Sequence, residues 1–193
     1  GVIAPHLNVF VRVDDPNPSD ELRLSMGQAI SAPIFPEEIG RPEGVEKIAE
    51  GVKKAMADSG IEDPKDVHYV QSKSPLLTAE RIEDAKSRGK TVALEDTMES
   101  MAVGNATAAL GIGVALGEFP MPKAGQIAHD LDVYSSVASC SSGVEHPEAQ
   151  ILLVGNKKGA GGRFRIGHSV MKDAIDTDGI YEAIRNAGLP LSD

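Results

Sequence analysis

Tryptophan is absent, cysteine occurs once, and aromatic residues make up only 4% of the 193 residues, so ring-stacking surfaces and thiol chemistry have little to work with. The lone Cys140 cannot close an internal disulfide, and without a CxxC pair there is neither a thiolate zinc site nor a redox couple. A reducing compartment fits, and the cytoplasm is the expected location. The opening residues, GVIAPHLNVF, lack the charged start, apolar block and cleavage pattern of a signal peptide. No apolar run approaches the ~20 residues that span a bilayer, so no membrane partner is expected. Basic residues are outnumbered, and a net charge of -10 argues against a phosphate-backbone partner, which leaves nucleic acid out. The histidines, His6, His68, His129, His146 and His168, show no HxH or HxxxH spacing, so no metal is expected on this chain. The glycine-rich stretch GNKKGAGGR over 155–163 has neither the GK[ST] ending of a phosphate loop nor GxGxxG spacing, and reads as a hinge.

What is present is an alternation of strand-like and helix-like segments. His6 to Val13 (HLNVFVRV) reads as a strand ended by a proline-containing loop, and Glu21 to Ser31 as a second. Val45, Ile48, Val52, Ala55 and Met56 share one helical face, and Gly60 stops that helix. Val67 to Ser74 returns as a strand, Thr78 caps a charged helix through Arg88, and Met98 to Glu118 forms a longer alanine-rich helix. Val133 to Ser142 and Ile151 to Gly155 read as strands. An internal echo accompanies this order: Gly51, Ala55, Gly60 and Ile61 recur in register as Gly179, Ala183, Gly188 and Leu189. Leu22 to Leu24 likewise matches Phe164 to Ile166 as the strand before each helix. The second copy stops after its helix, and the chain opens without methionine, so a larger parent protein is expected.

Two segments could carry chemistry. Lys73 lies in QSKSPLLT at a strand end, between Ser72 and Ser74 and before Pro75. It is either an ordinary surface lysine or, if desolvated beside the sheet, a neutral amine able to take a proton from a hydroxyl. The segment Tyr134 to Glu145 (YSSVASCSSGVE) sets five serines and Cys140 on a strand running into Gly143. Such a strand either packs tightly with its hydroxyls on neighbouring backbone, or presents a nucleophilic hydroxyl and free N–H groups to a carbonyl. Strand alternation points Cys140 away from Ser139 and Ser141, so it reads as a packed small hydrophobe.

The strings VHYVQSKSPLLT, ERIEDAKSRGKTV, SSVASCSSGVE, LLVGN and RIGHSVMKDAID together resemble the ring-opening amidohydrolases, the family of barbiturase and cyanuric acid hydrolase. The match covers essentially the whole chain, and SCSSGVE, GGRFRIGHSVMKDAID and DGIYEAIRNAGL are closer to barbiturase. The resemblance implies an α/β fold of repeated sheet-plus-helices units, forming a pseudo-threefold barrel with helices outside and one lysine and one serine from each unit at a central site. In this chain it implies residues 1–20 as the last strand of a preceding unit and a linker, 21–157 as the complete middle unit, and 158–193 as a hinge and the start of a following unit. Lys73 and Ser141 then match the catalytic pair, and Ser142 matches the neighbour whose N–H holds a substrate carbonyl. Asn105, in SMAVGNATAALG, stands where cyanuric acid hydrolases carry arginine; it can bind a carbonyl but supplies no charged fork.

The implied reaction is hydrolytic opening of a cyclic imide, barbiturate to ureidomalonate, through an acyl-enzyme on Ser141 with N–H groups of Ser141 and Ser142 on the oxyanion. Cyanurate is the alternative ring. The other readings are a non-catalytic piece of such an enzyme and a generic α/β binding protein with a solvated Lys73. The implied partners are the cyclic imide and further copies of the chain, as a homo-oligomer, a tetramer. No cofactor is expected in this chain, and a structural metal belongs, if anywhere, to the last unit of the parent.

Overall fold

In the computed structural model, residues 9–13 and 17–191 are described. Four strands, β1 (Arg23–Ile30), β2 (Val67–Pro75), β3 (Ala138–Gly143) and β4 (Gln150–Lys157), form one sheet in the order β1-β4-β2-β3. The first three neighbours run antiparallel, and β2 and β3 run parallel. Four α-helices accompany them among the described residues: α1 (Pro42–Ser59), α2 (Ala79–Ser87), α3 (Thr97–Leu116) and α4 (Thr177–Asn186).

Local signals account for most of these boundaries. Pro42 opens α1 with a preset φ and no N–H to waste. Gly60 closes it in the left-handed region at φ 70°. The Thr78 side chain accepts the Arg81 N–H at 3.2 Å and starts α2, as its residue type predicts. Asp96 does the same for α3 through Glu99 N–H at 2.9 Å.

α1 and α3 pack on each other and cover one face of the sheet. Ile48, Val52 and Ala55 of α1, Ala108 and Ile112 of α3, Val70 of β2 and Ile151 and Leu153 of β4 form the core between them. By length and composition α3 is apolar enough to cross a membrane, which the sequence reading did not expect of any segment. Its polar residues are nonetheless committed to the fold. Ser100 Oγ accepts Leu77 N–H at 3.0 Å, and Thr107 Oγ1 accepts Gly40 N–H at 2.9 Å, both buried. The first bond holds α3 against the chain that leaves β2, and the second against the turn that precedes α1.

Three expected strands come out differently. Val9 to Val13 form no strand and are exposed; residues 6–8 of that expectation lie outside the described residues. Arg12 in this stretch instead ties to the Met26 carbonyl at 2.9 Å and to Asp58 at 3.0 Å. β3 begins at Ala138 rather than Val133, because the Ser136 N–H and hydroxyl both donate to the Glu118 carboxylate and take that residue out of the ladder. Phe164 to Ile166 are irregular, so the echo holds for the helices but not for the strands before them. α1 and α4 are both followed by a left-handed glycine, Gly60 and Gly188. The Phe164 carbonyl accepts the β1 edge N–H of Leu24 at 2.8 Å, while Ile166 exchanges two bonds with the Asn156 side chain.

Candidate functional site

β2 and β3 are joined in register, with Ser72 opposite Cys140, Lys73 opposite Ser141 and Ser74 opposite Ser142. Successive side chains of a strand leave opposite faces, so these pairs alternate between the helix-covered face and the open one. On the covered face Ser74 Oγ and Ser142 Oγ are 2.9 Å apart, both buried. A β-carbon on Gly104 of α3 would stand 2.5 Å from Ser142 Oγ, so glycine is what lets the helix approach this pair. Cys140 is partly buried with the core, and burial pushes its thiol up to about 12, which leaves negligible thiolate near neutrality. The reading of Cys140 as packing fits this environment.

On the open face the Lys73 amine reaches Ser141 Oγ at 3.4 Å, at the long end of hydrogen-bonding range. Ser141 is exposed, and the lysine side chain retains 35% of its accessible surface. Lys73 is therefore not the desolvated amine considered from sequence; it forms an ion pair with Glu145 at 3.1 Å. The Glu145 carboxyl is held below the usual carboxylate range, first by its own backbone N–H and then by Lys73. Beside this pair, in the next register position on the same face, Gln71 Oε1 accepts from Ser139 Oγ at 3.0 Å and from Tyr69 OH at 2.6 Å. Sequence reasoning missed Glu145, Gln71 and Tyr69. Spacing by two from Lys73 along β2 was the signal for the last two.

The ladder separates the two backbone donors expected to face an oxyanion. Val70 N–H donates to Val137 O and Leu76 N–H to Gly143 O, so odd-numbered β3 residues direct their backbone groups at β2. That pattern turns the Ser141 N–H into the sheet and leaves the Ser142 N–H on the outer edge of β3, which terminates the sheet. The expectation that both N–H groups serve one oxyanion therefore narrows to Ser142. Asn105 lies one residue after Gly104 in α3; its Oδ1 is buried and has no hydrogen-bond partner among the described residues, and it does not join Lys73 and Ser141.

The structure also assembles a pair with no signal in the spacing. His68 and His168, 100 positions apart, bring their Nδ1 atoms to 2.9 Å. Burial lowers both imidazoles. No group of three or more metal-binding side chains occurs among the described residues.

The family model described as amidohydrolase ring-opening protein matches residues 1–193. The chain belongs to this family. It is 59% identical over 191 residues to Barbiturase 2 of Nocardioides sp. (strain ATCC BAA-499 / JS614), covering 98% of this chain and 52% of that protein. Barbiturase 1 of the same strain is 57% identical over 197 residues, covering 99% and 53%. The fold matches the crystal structure of the cyanuric acid hydrolase from A. caulinodans with a TM-score of 0.84 and 38% identity, over 94% of this chain and 51% of that one. The chain thus spans about half the length of the family members it matches.

Proposed function

We propose that the full-length protein opens a cyclic imide by hydrolysis, with Lys73 and Ser141 as base and nucleophile and barbiturate as the ring. The observation that carries this reading is the in-register meeting of the Lys73 amine and Ser141 hydroxyl at 3.4 Å on the open sheet face, in a chain of this family. Identities of 59% and 57% to two barbiturases, against 44% to the cyanuric acid amidohydrolase of Enterobacter cloacae, favour barbiturate.

In the reaction, the Lys73 amine acts in its deprotonated form, taking the Ser141 hydroxyl proton as Oγ bonds to a ring carbonyl carbon. The Ser142 N–H at the sheet edge stabilises the resulting oxyanion. Collapse breaks the ring C–N bond, and Lys73 delivers its proton to the leaving nitrogen. Water then cleaves the Ser141 ester, restoring the hydroxyl and releasing the open ureido acid, ureidomalonate from barbiturate. The polar row of Tyr69, Gln71 and Ser139 borders the same face and supplies hydrogen bonds for a ring rich in carbonyl and N–H groups.

The remaining walls come from outside this chain. The solved relative is about twice as long, and the open face that bears Lys73 is not covered by α1 or α3. A pseudo-threefold barrel, with this face turned inward, would enclose the dyad and exclude water. Loss of barbiturate and of cyanurate should be followed with the full-length protein and with residues 1–193 alone. Barbiturate turnover by the full-length protein, with a mass increase on Ser141 under rapid quench, is the expected result. Unchanged turnover in Ser141→Ala would sink the dyad.

A further inference from the structure

Glu145 has no part in the reaction as written, yet it is the carboxylate that holds Lys73. Its Oε1 lies 3.1 Å from Nζ, while Ser141 Oγ is 3.4 Å away on the same amine. The second carboxylate oxygen lies over Gly143, where a β-carbon would collide with it and would stand 2.7 Å from Lys73 Nζ. Gly143 therefore gives Glu145 a place that any side chain there would close. The sequence Ser141, Ser142, Gly143, Val144, Glu145 thus delivers nucleophile and lysine clamp from one turn of chain.

An ammonium held by a carboxylate has no lone pair to offer a hydroxyl. We infer that Glu145 is a positioning residue that favours the charged form of Lys73 through this ion pair while the amine stays within reach of Ser141, so that it shifts the pH at which the dyad becomes active. The inference rests on the reading of Lys73 as the base for Ser141.

The charged surroundings leave Glu145 as the controlling group. Across β2 and β4 the partner of Lys73 is the uncharged Gln150. His146 adjoins Glu145 and acts on that carboxylate. Arg81 of α2 is spent on the Leu76 and His146 carbonyls at 3.0 and 2.9 Å, and its carboxylate neighbour is Glu148. The sign follows: removing the carboxylate removes what favours the charged amine, so the active form persists to lower pH.

The test is the pH profile of kcat/KM of the full-length protein for barbiturate, in the wild type, Glu145→Gln and Glu145→Asp. Glu145→Gln should move the acid limb to lower pH and raise kcat/KM on that limb on the order of threefold, the size of an exposed ion pair. Glu145→Asp should restore the limb toward its wild-type position. Since Glu145 is exposed, neither change should unfold the protein, and an unaltered melting temperature checks this. An acid limb that stays at the wild-type pH in Glu145→Gln, with Ser141→Ala inactive, overturns the clamp and leaves the dyad standing. Turnover by Ser141→Ala overturns both.

Discussion

Ser74 and Ser142 share a hydrogen bond at 2.9 Å beneath α3, while one residue earlier on each strand Lys73 and Ser141 meet on the opposite face. The two pairs use the same residue types in different roles, because neighbouring residues of a strand face opposite ways. Ser142→Ala removes one half of the buried pair and leaves the Ser74 hydroxyl with a 3.4 Å contact to the Gly104 carbonyl. It should lower stability by about 1–2 kcal/mol in chemical denaturation. Because the Ser142 backbone N–H survives the change, turnover of the folded protein should remain far above that of Ser141→Ala. Gly104→Ala presses a methyl against Ser142 Oγ and the Pro75 carbonyl, and should cost about 1–3 kcal/mol.

Removal of the dyad should act on rate rather than on folding. Ser141 is exposed and Lys73 partly exposed, so Ser141→Ala and Lys73→Ala should leave thermal unfolding within about 0.5 kcal/mol of wild type. Each should lower kcat in the full-length protein by roughly 10³-fold or more, as loss of a nucleophile or its base does in acyl-transfer enzymes. Cys140→Ala is the control. Its thiol is half-hidden in the core with its ionisation pushed up to about 12, so the variant should keep its turnover and lose only packing.

How far the site could be read from sequence follows from where its contacts lie in the chain. α1, α2 and α3 were legible because caps and apolar spacing act within a few residues: Pro42, Thr78 and Gly60 do locally what their residue types predict. Lys73 and Ser141 were legible as candidates, since each sits in a short recognisable string. Their meeting was not, because it depends on the register of two strands 68 positions apart. The same holds for Gln71 with Ser139 and for His68 with His168. Glu145 is near Ser141 in sequence, but its role depends on Lys73 across the strand pair. The expected strand at Phe164 to Ile166 failed for a related reason. Its composition matched that of Leu22 to Leu24, but Ile166 found its partners in the Asn156 side chain rather than in a second ladder.

Acid sensitivity should be detectable at Arg88. Its guanidinium grips both Glu37 oxygens, at 2.6 and 2.8 Å, and also Asp84 of α2, fixing that helix to the short turn before α1. The Glu37 carboxyl is lowered to about 2, chiefly by the Arg88 hydrogen bonds. A carboxyl depressed in the folded chain stabilises it above its unfolded value of 4.5, and that contribution is lost as pH falls from there toward 2. Urea midpoints measured across this window should fall in the wild type. Arg88→Ala should be less stable near neutrality and show a shallower fall; an equal slope in both proteins would remove Arg88 as the cause.

The histidine pair should make a second pH-dependent joint, in a different window. With Nδ1 atoms 2.9 Å apart, one neutral ring donates its N–H to the lone pair of the other, and charging both places like charges in contact. Both imidazoles are lowered from 6.5 by burial, His68 also by the neighbouring His168, while Asp66 and Glu118 pull the other way. A histidine whose charged form is disfavoured on folding contributes fully above its unfolded value and loses that contribution as pH falls below about 6.5. His168 lies in the segment that bonds to Asn156 and to the β1 edge, so the opening should be local. Amide exchange at Ile166, whose N–H donates to Asn156 Oδ1 at 3.0 Å, should accelerate relative to Val70 in the core as pH falls from 7 to about 5.5, after correction for intrinsic rates. His168→Phe keeps an aromatic ring but removes one of the two charges and their repulsion, and should weaken the dependence of that ratio on pH. Persistence of the wild-type trend in this variant would assign the opening to another group.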